Sequence, residues 1–88
     1  MYKLYLKEPN SLIDEDSLEA NIIDTLKVAM EVDPSMQFRI IKSSIIDGQE
    51  TDEIYRLIRN YKDYENYLED YELRNSTIME LKEKILRR

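Results

Sequence analysis

Carboxylates and tyrosines are the residue types of this 88-residue sequence that could do chemistry. The chain has nineteen Asp and Glu and seven Tyr, but no His and no Cys. Histidine is the usual general base and metal ligand near neutral pH, and cysteine supplies thiolate nucleophiles and zinc ligands. One glycine cannot build a phosphate-binding loop. The composition therefore argues against most hydrolases and metalloenzymes, and it predicts no catalytic site and no cofactor.

Two acidic clusters are the candidates for cation binding. Asp14, Glu15 and Asp16 are consecutive, and Glu19 follows one helical turn later. Oxygen ligands of this kind suit Mg²⁺ or Ca²⁺. The second cluster, residues 47–53, lacks the alternating Asp ligands that precede the glycine of a calcium loop. Helix capping and a turn into a helix explain both patterns better, so we expect no metal site.

The most distinctive feature is a tyrosine-rich acidic segment. Five of the seven tyrosines lie within residues 55–71, interleaved with carboxylates. Tyrosine offers a large contact area at low entropic cost and is enriched at protein interfaces. The segment therefore predicts a docking face, with a plain core whose hydroxyls reach solvent as the alternative. The predicted partner-binding residues are Asp63, Tyr67, Glu69, Asp70 and Tyr55.

The net charge of −6 indicates the type of partner. Acid is concentrated in residues 11–24 and 47–71, whereas residues 72–88 carry five bases against three acids. A negative chain repels nucleic acid and anionic lipid and attracts basic surfaces. We therefore expect a partner protein with a basic surface.

Apolar residues with helical spacing predict how this segment is presented. From Thr51 they recur at alternating intervals of three and four, which is the a/d spacing of a helix-pairing seam. Thr51 is the predicted cap of one helix from Asp52 to about Leu73. A second copy would cover the seam, so we expect a homodimer. The seam residues are Ile54, Leu57, Tyr61, Tyr64, Leu68 and Tyr71.

The phase of this seam fixes which side chains should be exposed. If the seam is buried, Asp63, Tyr67 and Asp70 share one exposed stripe on the flanking face. A break or a bend is expected near Asn75, because Thr77 and Glu80 have capping-box spacing. A renewed apolar stripe of Ile78, Leu81 and Ile85 then continues to the end of the chain.

The first half of the chain predicts strand, helix and strand. Residues 2–7 alternate with period two, and turn chemistry follows at residues 8–11. A capping box beginning at Asp16 predicts a helix over residues 17–31, which Pro34 ends. Isoleucine-rich residues 36–46 form the second strand. Its apolar side chains fall on both faces, which suggests a central or interface strand, and residues 43–46 could be a separate third strand.

These elements predict an α+β fold in a single small domain, residues 1–88, in β-α-β-α-α order. The sheet has two or three strands and the C-terminal part is long and helical. The two strands are parallel if the first helix is a right-handed crossover. So few strands make a marginal sheet, which again favours an oligomer.

The predicted function is a non-enzymatic acidic protein-binding module, a small regulator or inhibitor that could mimic nucleic acid. Motif-poor sequences rich in Ile, Lys, Tyr and Asn are frequent among accessory proteins of phages, viruses and plasmids, which is an association only. The alternative is a small dimeric nucleic-acid-associated regulator or antitoxin-like protein that uses its strands and the basic tail, Lys82 to Arg88. A third hypothesis is that the protein is a purely structural component of an oligomer. The chain has no secretory signal and no run of about 18 apolar residues, so we expect it in the cytoplasm and not in a membrane.

Overall fold

A computed structural model describes residues 1–86 and confirms the α+β class. Four antiparallel strands form one sheet in the order β2-β1-β3-β4. Both helices pack on the same face of this sheet. In chain order the elements are β1 (Tyr2–Leu6), β2 (Ser11–Asp16), α1 (Glu19–Val32), β3 (Phe38–Ile46), β4 (Gln49–Ile58) and α2 (Tyr61–Leu86).

Strand β2 is absent from the predicted order, which was wrong here. It turns back from β1 and pairs with it antiparallel, and it has no neighbour on its other side. Its Asp14-Glu15-Asp16 run disfavours a strand by propensity, but an edge strand tolerates charge. Because β2 intervenes, α1 connects β2 to β3. Strands β1 and β3 are therefore antiparallel, and the expected parallel pairing of these two was wrong.

Strand β4 replaces the first two turns of the predicted long helix. Asp47 and Gly48 both have positive φ, at 52° and 78°, and form a two-residue turn between β3 and β4. This is the geometry that Asp-Gly favours in hairpins. The predicted helix from Asp52 with Thr51 as its cap was therefore wrong. Residues 43–46 continue β3 and are not a separate strand.

The hairpin turn gives a first testable prediction. A Cβ built on Gly48 meets nothing within 4 Å, so alanine adds no clash and the cost lies in the backbone alone. We expect Gly48→Ala to lower the free energy of unfolding by about 1 kcal/mol, the cost of holding an L-residue in the left-handed region. Urea denaturation followed by circular dichroism measures this. Gln49→Ala is the matched control, and equal stability of both variants would contradict the turn assignment.

Helix α2 is continuous from Tyr61 to Leu86, so the predicted break near Asn75 was wrong. The Asn60 side chain accepts the Asp63 N–H at 2.9 Å and caps the helix start. Within the helix the Thr77 hydroxyl donates to the Leu73 carbonyl oxygen at 3.0 Å, so its polar group is satisfied without a new cap. Over residues 1–86, neither helix has the length and hydrophobicity needed to span a membrane.

The core lies between the sheet and the two helices. Only the first turns of α2 contribute to it, through Tyr64 and Tyr67, and the second half of α2 extends past the sheet with its side chains exposed. The radius of gyration is 15.1 Å, against about 12 Å for a compact chain of this length. The smallest extent is 16 Å, which corresponds to one sheet layer and one helix layer. The buried apolar residues are Leu4, Ile22, Ile23, Leu26, Met30, Phe38, Ile40, Ile58, Tyr64 and Tyr67.

Candidate protein-binding surface

Tyr67 was predicted to be exposed, and that prediction is wrong. Its side chain is 2% exposed, and its hydroxyl donates to Glu19 Oε2 at 2.7 Å. The error has one cause, the assignment of Ile54 and Leu57 to the helix. These residues lie in β4, so they do not set the phase of α2, and Tyr64 and Tyr67 face the sheet.

Asp70 and Tyr67 belong to a polar cluster that joins α1, β4 and α2. We name it the Glu19 clamp, and its members are Glu19, Arg56, Tyr67, Asp70 and Arg74. Arg74 binds both carboxylate oxygens of Glu19, at 2.9 and 3.1 Å, and donates through Nε to Asp70 at 2.9 Å. Arg56 of β4 donates to the same Asp70 oxygen at 2.8 Å. Asp70 is therefore paired with two arginines of its own chain and is not a free docking charge.

The clamp shifts the pKa values of its members. Burial alone would raise the pKa of Glu19, but hydrogen bonds from Arg74 and Tyr67 outweigh it and hold the pKa below its usual value. Burial first, and then the Glu19 carboxylate, raise the pKa of the Tyr67 hydroxyl. The Arg56 hydrogen bond is the largest cause of the lowered pKa of Asp70. Near neutral pH the two carboxylates of the clamp are therefore ionised and the Tyr67 hydroxyl keeps its proton.

Asp63 also has an internal role, at the N-terminus of α2. Its carboxylate accepts the Arg59 backbone N–H and the Arg59 Nε, both at 3.0 Å. These hydrogen bonds lower the pKa of Asp63. An acidic residue in the first turn also interacts favourably with the helix dipole. Asp63 therefore stabilises the helix start.

Tyr55 lies in β4 at a bulge, on the face that the helices cover, and is half-buried. Its ring is edge-on to Tyr2 at 5.5 Å and to Tyr67 at 6.5 Å between centroids. The Arg56 guanidinium lies 4.4 Å from the centre of the Tyr55 ring, and Lys42 approaches it at 5.7 Å. Tyr55, predicted to bind a partner, is thus part of an aromatic layer within its own chain.

The predicted oligomer seam does not exist as one helix face. Ile54 and Leu57 are exposed in β4, and Tyr61 is half exposed at the start of α2. Tyr64 is buried in its own chain, and Leu68 and Tyr71 pack beside the core. The prediction was wrong because the three-and-four spacing continues by coincidence across a strand, a turn and a helix.

Glu69 alone among the predicted partner-binding residues is fully exposed. It lies on the outer side of α2, opposite the tyrosines that face the sheet, in a row that we name the glutamate stripe. The glutamates are three or four residues apart, except for one gap of about two helical turns after Glu72, so the row lies on one face. Glu65, Glu69 and Glu72 form no salt bridge with any residue in the range 1–86. The stripe consists of Glu65, Glu69, Glu72, Glu80 and Glu83, all exposed.

The basic residues of the strands and of the tail, which the alternative function would use on nucleic acid, are dispersed. Lys3 pairs with Glu50 at 3.4 Å, and Arg39 covers the Tyr5 ring at 5.2 Å. Lys42 lies on the opposite face of the sheet from these two, beside the rings of Tyr2 and Tyr55. Of the basic tail, Lys82 and Lys84 are exposed at the far end of α2, and Arg87 and Arg88 lie outside the described residues.

The acidic cluster of β2 has structural hydrogen bonds. Asp14 accepts the Thr25 hydroxyl at 2.6 Å, and Asp16 accepts the Leu18 N–H at 2.8 Å and the Asn21 amide at 3.0 Å. Across residues 1–86, no three acidic side chains converge in a way that could hold a metal ion. Among known proteins, no family model, no curated protein and no solved structure matches this chain.

Proposed function

We propose that this chain is a non-enzymatic acidic protein-binding module of the cytoplasm, a small regulator or inhibitor that docks on a basic surface of a partner protein. The glutamate stripe is the observation that carries the proposal. An accessory protein of a phage, virus or plasmid is the setting that its composition favours.

The stripe suits this function because none of its glutamates forms an ion pair with another of the described residues, 1–86. Glu19, Asp63 and Asp70 are each paired with arginine, whereas Glu65, Glu69 and Glu72 face solvent with no ion pair among residues 1–86. Unpaired surface charges act at long range, and they accelerate association with a surface of opposite sign by about 10- to 1,000-fold at low salt. The net charge of −6 adds to this attraction.

The spacing of the stripe supports the nucleic-acid-mimic form of the proposal. Five glutamates span residues 65–83, which is about 27 Å of helix at 1.5 Å per residue. The four intervals between these charges average about 7 Å, twice the spacing of about 3.4 Å between the phosphates of one DNA strand. The stripe resembles a sparse single strand more than a duplex, so a single-strand-binding groove is the favoured surface.

Charge reversal of the stripe provides the kinetic test. With a partner isolated by affinity capture, we expect Glu65→Lys/Glu69→Lys/Glu72→Lys to slow association at least 10-fold and to flatten its salt dependence. The control Glu8→Lys/Asp24→Lys/Glu31→Lys changes the net charge equally at exposed positions elsewhere. Biolayer interferometry at several salt concentrations measures both. Equal slowing in the two variants would show that net charge matters and the stripe does not.

The alternative, a nucleic-acid-associated regulator or antitoxin-like protein, is favoured only by Lys82 and Lys84 at the end of α2. Fluorescence anisotropy with a 30-base-pair DNA duplex at low salt separates the two functions. We expect no binding, because the dispersed bases offer few phosphate contacts. Micromolar affinity that falls steeply with salt would favour the alternative.

Self-association is a second part of the proposal, as a homodimer. Exposed apolar side chains support it, since they are frequent on the uncovered face of the sheet and on the second half of α2. Contiguous exposed apolar patches commonly mark protein interfaces.

A further inference from the structure

The sheet has one face covered by helices and one open face. Side chains alternate between the faces, and directly paired residues share a face. Two complete rows therefore cross all four strands on the open side. The first row is Glu15, Lys3, Ile41 and Ile54, and the second is Leu12, Tyr5, Arg39 and Leu57. Beyond them the β3–β4 hairpin adds the pairs Ser43 with Asp52 and Ile45 with Glu50.

Side-chain contacts confirm this assignment. Lys3 reaches Glu50 at 3.4 Å, and the Ser43 hydroxyl donates to Asp52. The Arg39 guanidinium covers Tyr5, whose strand neighbour Leu4 points to the core on the opposite side.

Half of the twelve open-face positions are apolar: Tyr5, Leu12, Ile41, Ile45, Ile54 and Leu57. Ile45 is 78% exposed and Ile54 is 61% exposed. An antiparallel sheet with one solvated face normally alternates apolar and polar residues. Strand β3 departs from that pattern, with Phe38 and Ile40 on the covered face and Ile41 and Ile45 on the open one. The sheet therefore has the composition of a layer covered on both sides.

We propose that a second copy of this chain packs on the open face, sheet against sheet, with the helices outside. This inference rests on the proposed self-association and not on the glutamate stripe. Two such sheets pack about 10 Å apart with interdigitating side chains. The dimer would then have four layers, and its core would be the two open faces.

Charge identifies the occupant as a second copy. The open face carries two bases, Lys3 and Arg39, and three acids, Glu15, Glu50 and Asp52. Its formal charge is thus −1 in a chain of −6. A basic partner gains little attraction there and is drawn to the glutamate stripe on the outer side of α2. A second copy meets an equally apolar, near-neutral surface with both signs of charge to match.

The second half of α2 is the competing surface for self-association. Ile78, Leu81 and Ile85 continue the face that the tyrosines begin, but Arg74 interrupts it. Lys82 and Lys84 flank the seam, so two copies paired there bring like charges together. The sheet face has twice as many apolar side chains and no such repulsion. With about twelve residues per copy against the 20 to 30 of a standard interface, a dimer in the micromolar range is expected.

Sedimentation equilibrium between about 5 and 200 µM tests the surface. Ile45→Lys/Ile54→Lys should raise the dimer dissociation constant at least 10-fold. The control Val28→Lys/Val32→Lys replaces two comparably exposed apolar residues of α1 by lysine. Its dimer dissociation constant should stay within threefold of the wild-type value. Ile78→Lys/Ile85→Lys reports on the competing surface and should also be neutral. If the lysine variant of the sheet fails to fold by circular dichroism, Ile45→Thr/Ile54→Thr removes the apolar area with strand-compatible residues and should weaken the dimer about fivefold.

Each other outcome is decisive. A wild-type monomer at 200 µM overturns both the self-association and this interface, and leaves docking through the glutamate stripe standing. A dimer weakened by the α2 variant but not by the sheet variants overturns this interface alone. Equal weakening by all three lysine variants would show a general charge effect and would also overturn it.

Discussion

Tyr67→Ala is expected to lower the free energy of unfolding by about 3–5 kcal/mol, the range for deleting a buried aromatic side chain. Tyr67 is buried between α1 and β4, contacts the Tyr55 ring edge-on and donates to Glu19. Alanine leaves a cavity and removes the hydrogen bond. Because small domains have only about 5–15 kcal/mol in total, much of the stability is lost. Urea denaturation followed by circular dichroism measures the change.

Two controls separate packing from surface effects. Tyr67→Phe keeps the ring and loses only the hydroxyl donor, so a loss of about 1 kcal/mol is expected. Tyr61→Ala truncates a half-exposed tyrosine one helix turn before Tyr64 and should cost less than 1 kcal/mol. Near-wild-type stability of Tyr67→Ala would mean that Tyr67 is not in the core and would restore it as a docking residue.

Glu19→Gln is expected to cost about 2 kcal/mol at pH 7. Breaking a fully buried ion pair costs about 3–5 kcal/mol, and the smaller figure applies here because the Arg74 side chain is 37% exposed. Glutamine keeps the size of the side chain but cannot pair with Arg74 as an anion. Thermal or urea unfolding of the two proteins at pH 7 gives the difference.

The same substitution should change the pH dependence of stability. The pKa of a glutamate in an unfolded chain is about 4.3. The pKa of Glu19 is lower than this in the folded chain. The clamp therefore contributes its full stabilisation of the fold at pH values above the pKa that Glu19 has in the unfolded chain. This stabilisation is lost as the pH falls through the pKa that Glu19 has in the folded chain. Wild type should lose stability below about pH 5 more steeply than Glu19→Gln. Glu69→Gln, at an exposed unpaired glutamate, should keep the wild-type slope. Parallel profiles for wild type and Glu19→Gln would contradict the clamp.

The sequence predicted the elements whose signals were local and consistent. Alternation in residues 2–7, the spacing of Ile22, Leu26 and Met30, and the isoleucines of β3 each placed an element within two residues of its observed ends. In these segments periodicity and turn chemistry agreed. The capping box predicted from Asp16 was wrong, because α1 begins at Glu19 and its N-cap Leu18 has no side-chain capping hydrogen bond. The α+β class followed from them.

The sequence did not predict β4, although a signal for it was present. Asp47-Gly48 between two segments rich in β-branched residues is a strong hairpin signal. It was outweighed by the three-and-four spacing from Ile54, but residues 49–58 pair with β3 on both sides of a bulge at Tyr55. Pairing between strands is non-local, so spacing along one segment does not reveal it.

The docking face predicted from the sequence differs from the exposed face of α2 for the same reason. The phase of α2 depends on where the helix begins, and a start at Tyr61 turns Tyr67 inward and Glu65, Glu69 and Glu72 outward. Asp63 and Asp70 each pair with an arginine four residues away, a local signal that was missed, whereas the other two ion pairs of the clamp join distant segments. Arg56 lies 14 residues from Asp70, and Glu19 lies 55 residues from Arg74. Such long-range pairs decide which acids remain free to bind.

The most direct test of the docking proposal is affinity capture from cell lysate, with three immobilised proteins compared by quantitative mass spectrometry. These are wild type, the stripe variant Glu65→Lys/Glu69→Lys/Glu72→Lys and the control Glu8→Lys/Asp24→Lys/Glu31→Lys. We expect at least one protein with a basic surface that wild type and control retain and the stripe variant loses. Retention of the same proteins by all three would contradict it.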